Sequence, residues 1–373
     1  MSKGGRYLRR KAPGGKKKKV LLIVLLSVLV LLAAIIIGVC LYVDSMLDLM
    51  TDKQDESFAT MSAEELDQML NPFTEPPAGE TEEATAPPIS TVPEDTWPII
   101  ESTENITNIM VVGQAARYGE EYKLSDTMIL FTINRETNTV TMTSFLRDMY
   151  VTLPAYAGHG MGANRINVAY HLGSQWMQSS QGGMEMLELT IKQNFDVEVD
   201  HTVEVNFEAF EKIVDILGGV EVELSEREAE SMNNLNGVEP VEVGYNVLTG
   251  NQALHYARMR KIDGDPQRTA RQRALINTLV NKLRGMNIMD VHELFTTVLP
   301  LISTNMTNAE IMDYAWEFIP MLKDINIVSQ SIPAEGTYWS ENMGSEEVPN
   351  YVLKWDTWNN KRILHESLGL IAE

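Results

Sequence analysis

The chain has 373 residues, 44% hydrophobic and 22% charged, which suits one large domain or two small ones with a sizeable core and excludes a wholly disordered protein. Its formal net charge is −22; outside the first 19 residues, 21 basic residues stand against 52 acidic ones. A chain that acidic lacks the broad basic footprint that phosphate contacts need, so no nucleic acid is expected as a general partner.

Residues 1–19 hold Lys3, Arg6, Arg9, Arg10, Lys11, Lys16, Lys17, Lys18 and Lys19 and no acid. Residues 20–43 (VLLIVLLSVLVLLAAIIIGVCLYV) follow without a charge. At roughly 1.5 Å per residue such a run crosses a hydrocarbon core about 30 Å thick. It is too long for the apolar part of a cleaved signal peptide, so it predicts a transmembrane helix. The basic flank predicts a cytoplasmic N-terminus, with everything after about residue 44 outside the cell. Cys40, the only cysteine, lies inside this run, so no intrachain disulfide is possible.

Residues 44–100 predict an extracellular tether. Its 71–98 part (NPFTEPPAGETEEATAPPISTVPEDTWP) is rich in Pro, Thr and Glu and has little to bury. From residue 101 to 373 the pattern is that of one extracellular domain. Strands are expected at 106–113, 127–134 and 138–145, the last two joined by a polar turn at 134–138. An amphipathic helix follows at 183–195, then a strand at 201–207 and a helix at 208–217, ended by Gly218 and Gly219. Helical stretches occupy 250–262, 266–285, 289–301 and 307–322, with a late strand at 326–332. Strands and helices mixed in one run predict a single α/β domain with a central sheet covered by helices.

Between residues 255 and 273 the sequence reads HYARMRKIDGDPQRTARQR. Arg258, Arg260, Lys261, Arg268, Arg271 and Arg273 are six of the 21 basic residues outside the N-terminus. A solvated basic face is the ordinary reading of such a run. Guanidinium forks suit phosphate oxygens, however, and Pro266 predicts a helix N-terminus that would favour an anion. The spacing puts Arg268, Arg271 and Gln272 on one helix face. Earlier, Ser125-Asp126 precedes one expected strand and Arg147-Asp148 follows another. Neighbouring strands would bring Asp126 near Arg147 and Asp148; a local ion pair between turn residues is the alternative.

Taken in order, SDTMILFTIN, SFLRDMYVTLP, NRINVAY, FEAFEKIVDILGGVEVEL, LTGNQALHYARMR and DPQRTARQR resemble the LytR-CpsA-Psr family over roughly residues 105–285. The resemblance implies a central mixed β-sheet with helices on both faces. It also implies a membrane-anchored phosphotransferase that moves a glycopolymer from an undecaprenyl-pyrophosphate carrier to peptidoglycan. Arg147, Arg258, Arg260, Arg268 and Arg271 stand at the family's pyrophosphate-binding arginines, Gln272 at a companion position, and Arg165 where the family often has lysine. Asp126 matches a carboxylate that binds magnesium or acts as base, and Asp148 joins Arg147 and Asp126 as a candidate catalytic residue.

Three places depart from that pattern. Gln114 replaces an aspartate expected to share the metal, Leu124 replaces an arginine, and Leu146 replaces a proline. A neutral amide oxygen holds magnesium more weakly than a carboxylate. An impaired polyprenyl-phosphate binder is therefore the alternative reading. A transcriptional regulator would leave only the short basic tail facing DNA. Leu187 and Leu189 are expected in the core, His255 on a helix surface, and the Asn-x-Thr triplets at Asn105 and Asn305 as chance matches.

Overall fold

The protein is described here from a computed structural model. It describes residues 105–114, 125–286, 293–294, 297–321, 323–345 and 349–371. The basic tail, the 20–43 run and the 44–100 tether lie outside the described residues. Among the described residues, no helix is long and apolar enough to cross a membrane.

Three consecutive strands, β1 (Ile106–Gln114), β2 (Ser125–Asn134) and β3 (Thr139–Phe145), pair antiparallel. Their β-branched and apolar side chains suit a surface covered on both sides. The β2–β3 turn forms because Asn134 Oδ1 accepts from the amides of Glu136 and Thr137 at 3.0 and 3.1 Å, while Asn138 takes φ 51°. β6 (His201–Val205) adds parallel to β1, and β10 (Asn326–Ile332) adds parallel to β3. A short β9 (Ile302–Thr304) pairs antiparallel to β6, giving a mixed sheet in the order β10-β3-β2-β1-β6-β9. The carboxyl ends of β1, β3, β6 and β10 and the amino end of β2 therefore share one edge, the usual ligand edge of an open α/β sheet.

Helices α1 (Asn167–Met177) and α2 (Ser180–Phe195) cover one face of the sheet. Tyr170, Leu187 and Ile191 pack there with Met110, Val112, Met128 and Leu130. Each such apolar side chain stabilises the fold by about 1.5–3 kcal/mol on burial. The two helices approach closely at Gly173, where a Cβ would lie 2.2 Å from the carbonyl oxygen of Gly182. Leu187 is core as expected; Leu189 is not, being 39% exposed, because it falls on the outer face of α2.

Both faces of the sheet carry helices. Ser329 on β10 meets Asn277 of α6 (Asp265–Leu283), while the next residue, Gln330, donates to Ser367 of α8 (Thr357–Ser367) at 2.5 Å. Successive strand residues point to opposite faces, so α6 and α8 lie on opposite sides. A second core lies around α3 (Phe207–Ile216), α4 (Glu226–Asn233), α5 (Gly250–Arg258) and the hairpin of β7 (Val220–Leu224) and β8 (Gly244–Leu248). Further hairpins are β4 (Tyr150–Leu153) with β5 (Gly162–Arg165), and β11 (Tyr338–Asn342) with β12 (Tyr351–Trp355). α7 (Asn308–Met321) is tied back to the sheet by a hydrogen bond between Tyr314 Oη and His201 Nε2.

Several boundaries shift from the sequence expectation. The strand at 201 ends at Val205, because the Asn206 side chain caps α3 by accepting from Ala209 N at 2.8 Å. The helix at 250 ends at Arg258, since Met259 is extended and Gly264 takes φ 90°. Arg260 therefore stands in the connecting turn and not on a helix. Gly218 and Gly219 end α3 at φ 74° and 82°, as expected. Within 289–301, parts of which lie outside the described residues, a 3-10 turn at Leu299–Leu301 replaces the last helical turn and leads into β9.

Candidate active site

At the shared strand edge, β3 runs into Leu146, Arg147 and Asp148. Leu146 N donates to the carbonyl of Ile332 at 2.9 Å, and Met149 N turns back to the Leu146 carbonyl at 3.1 Å. Arg165 closes β5, where it pairs in register with Tyr150, and Asn167 N reaches the Arg147 carbonyl at 3.3 Å. Arg165 is fully buried beside Arg147. Asp265 and Arg268 arrive from the first turn of α6, whose Asp265, Arg268, Arg271, Gln272, Leu275 and Leu279 form the buried face.

These residues make one buried cluster. Arg147 Nε lies 3.6 Å from Asp148 Oδ2 and 3.4 Å from Asp265 Oδ1. Asp265 Oδ1 also takes Arg268 Nη2 at 2.7 Å. Three guanidiniums face two carboxylates, so the cluster keeps a net positive charge in a low-dielectric setting, where charge acts strongly. Burial pushes the Asp148 carboxyl above the usual carboxylate range; Arg147 opposes the shift without cancelling it, and Asp265 adds to it. Burial lowers the Arg165 guanidinium from its ordinary value, with the charge of Asp148 opposing.

The other arginines are held elsewhere. Arg271 Nη1 and Nη2 donate to Asp263 at 2.6 and 2.9 Å, and Arg271 also bonds the Met259 carbonyl and lies 3.4 Å from Glu228. Burial would lower its pKa, but Asp263 and Glu228 outweigh that and hold it above the ordinary value. Gln272 Nε2 donates to the Ala257 carbonyl at 3.1 Å and locks α5 to α6. Arg258 is exposed, its guanidinium 4.4 Å from the ring of Phe207, the first residue of α3. Arg260 is half-buried in the 259–264 turn. His255 is half-buried on α5, near the surface position expected of it.

Asp126 lies on β2 at the same edge, one residue after Ser125, which pairs with Gln114. Gln114 is buried, and its Oε1 and Nε2 have no hydrogen-bond partner, nor has Ser125 Oγ. Gln114 and Ser125 offer only neutral oxygens, which magnesium prefers less than carboxylates. Among the described residues, no group of three or more His, Cys, Asp or Glu side chains is placed to hold a metal. Gln114 stands where the resemblance implies the second carboxylate of such a site, so Asp126 is the acid expected there.

Sequence reasoning passed over Asp265 and Asp263, which organise the arginines. The available signal was the i,i+3 spacing of Asp265 and Arg268 on one helix. Asn305 also has a structural role, since its Oδ1 accepts from Thr202 N at 2.8 Å and its Nδ2 donates to Glu188 at 2.9 Å.

The LytR_cpsA_psr family model matches residues 78–355. The chain belongs to the LytR-CpsA-Psr family. Its relatives include the polyisoprenyl-teichoic acid–peptidoglycan teichoic acid transferase TagU of Oceanobacillus iheyensis, 35% identical over 181 residues, which are 48% of this chain and 52% of that protein. The chain thus spans about half the length of that relative. Among solved structures, TagT bound to LI-WTA superposes with TM-score 0.56 and 25% identity, covering 71% of this chain and 92% of the other. The YwtF (TagT) structure with bound octaprenyl pyrophosphate lipid superposes with TM-score 0.52 and 23% identity, covering 71% and 91%, and shares the fold.

Proposed function

We propose that this LytR-CpsA-Psr protein is a glycopolymer–peptidoglycan phosphotransferase, acting on a polyprenyl-pyrophosphate-linked donor. The observation that carries this reading is the buried cluster of Arg147, Arg165 and Arg268 around Asp148 and Asp265. Phosphoryl transfer is mostly positioning and charge stabilisation, and fixed guanidiniums supply both. Arg147, Arg165 and Arg268 hold the pyrophosphate, and exposed Arg258 meets it from the rim. Arg271 and Gln272 act on the site through the 259–264 turn and the α5–α6 contact, with Arg260 carried on that turn. Asp126 is the anionic group that would hold a magnesium ion, which would supply positive charge to the phosphates. The names of the TagU relative and of the ligand-bound TagT structures support the substrate class.

The proposed setting is single-pass anchoring by residues 20–43, with residues 1–19 in the cytoplasm and the 101–373 domain held outside by the 44–100 tether. The apolar run and its basic flank support it. One observation favours the impaired binder as second reading: the uncharged Gln114 at the metal position. The full chain in detergent, given a short-chain polyprenyl-pyrophosphate oligosaccharide and peptidoglycan fragments, tests the two. Release of polyprenyl phosphate together with acceptor-linked sugar is expected. Donor binding without release, restored by Gln114→Asp, would establish the binder instead.

A further inference from the structure

Beside the arginine cluster, on its carboxylate side, lies a cleft of about 380 Å³. That volume falls in the range of small-molecule sites, about 300–1,000 Å³. Its walls come from two parts of the chain. Asp148, Asp265 and Arg273 belong to the family motifs, whereas Pro333, Glu335 and Tyr338 lie beyond residue 285. The second wall is tied to the first, since Leu353 N donates to the Asp148 carbonyl at 2.8 Å and Trp355 Nε1 donates to the Tyr150 carbonyl at 2.8 Å.

Most of the cleft's charge is negative. Asp263 is committed to Arg271, and Asp265 to Arg147 and Arg268. Three charged groups remain to face the cavity: Asp148, Arg273 and Glu335. Asp148 is only 5% exposed, and its Oδ1, on a cleft-lining side chain, has no hydrogen-bond partner. Arg273 Nη1 is likewise buried without one. Glu335 is exposed at the rim. A buried carboxylate oxygen without a donor is costly unless something arrives to donate. These acids repel a pyrophosphate, so the anionic donor belongs on the arginine side and the cleft suits a neutral, hydroxyl-bearing molecule. Tyr338, Pro333 and Leu353 offer apolar surface to the C–H face of a ring.

We propose that this cleft is the acceptor subsite: it takes a sugar ring whose primary hydroxyl reaches Asp148, while Arg273 and Glu335 fix the ring's other substituents. This rests on the transferase reading above. Asp148 removes the hydroxyl proton, and the oxygen bonds to the phosphorus nearer the glycopolymer. The anhydride P–O bond breaks, and its electron pair leaves with polyprenyl phosphate.

The test is direct binding of a peptide-free N-acetylglucosaminyl–N-acetylmuramic acid disaccharide to the full chain in detergent, by saturation-transfer NMR without donor. The native protein binds it; Arg273→Ala and Glu335→Gln each weaken binding by about tenfold or more, as expected for lost charged hydrogen bonds. Both variants keep the native Kd for a short-chain polyprenyl pyrophosphate, which also shows that they are folded. No binding by the native protein, undiminished binding by both variants, or equal loss of donor affinity would overturn the subsite. Disaccharide binding as expected without transfer would instead refute the ligase and leave the subsite standing.

Discussion

Arg268 Nη2 lies 2.7 Å from Asp265 Oδ1, one turn apart at the start of α6, and the same oxygen is 3.4 Å from Arg147 Nε on the far side. One carboxylate thus holds together two buried guanidiniums from distant parts of the chain. It neutralises one positive charge, Asp148 offsets a second, and the cluster keeps one net positive charge for a ligand.

Removing that carboxylate sets two buried guanidiniums against each other. Asp265→Ala is expected to destabilise the protein by about 3–5 kcal/mol, the usual cost of breaking a buried ion pair from one side. Urea unfolding of the full chain measures it. A change below about 1 kcal/mol would show that the cluster is not held by Asp265.

The pH dependence of transfer reports on Asp148. Its carboxyl is raised by burial, so the unprotonated form needed to accept a proton appears only above the usual carboxylate range. The acid limb of the kcat profile is expected to rise through that elevated pKa. Asp148→Asn should abolish transfer and leave donor binding within a few-fold of native. An unshifted acid limb, or an active Asp148→Asn, would remove Asp148 from the chemistry.

His171 is fully buried on α1, and burial pushes its imidazole down from 6.5 to about 4. The folded value is the lower one, so the unfolded chain takes up its proton first as pH falls. Stability present above pH 6.5 is lost progressively down to about pH 4, by roughly 3 kcal/mol in all. Unfolding free energies of native and His171→Gln proteins at pH 7 and 4.5 check this. The variant should lose most of the pH slope; an identical slope in both would assign the acid sensitivity to other groups.

Much of the sheet was legible in the sequence because β1, β2, β3 and β10 are apolar, β-branched runs bounded by turn residues. The short hairpins β4–β5, β7–β8 and β11–β12 were not. VEVEL does alternate apolar and acidic residues, but it and GYNVL are only five residues long, too short to stand out until their cross-strand pairing is seen. The site divided in the same way. Arg147, Asp148, Arg165 and Arg268 come together, whereas Arg258, Arg260 and Arg271, grouped with them by the resemblance, are held elsewhere. Arg271 and Gln272 share the face their spacing gave, but their partners are Asp263 and the Ala257 carbonyl, which are set by the turn at Gly264. The C-terminal wall of the cleft carried no sequence signal, since Glu335 and Tyr338 gain meaning only from the β12 contact with Asp148.

Gln114→Asp tests the metal side without any turnover. The variant places a carboxylate opposite Ser125, the residue before Asp126 in the chain. Manganese binding by electron paramagnetic resonance, without donor, should tighten by about tenfold or more, because hard cations prefer anionic oxygens. Equal affinity in native and variant proteins would show that Gln114 does not face a metal position.

The central claim is that the buried arginines hold the donor's pyrophosphate, and its most direct measure is the Kd of a short-chain polyprenyl pyrophosphate for native, Arg268→Ala and Arg258→Ala proteins. Arg268→Ala is expected to lose about ten- to a hundredfold in affinity, on the scale of one charge-assisted contact, and Arg258→Ala to lose less. Native affinity in Arg268→Ala, with the larger loss falling on Arg258→Ala, would place the pyrophosphate on the exposed rim and contradict it.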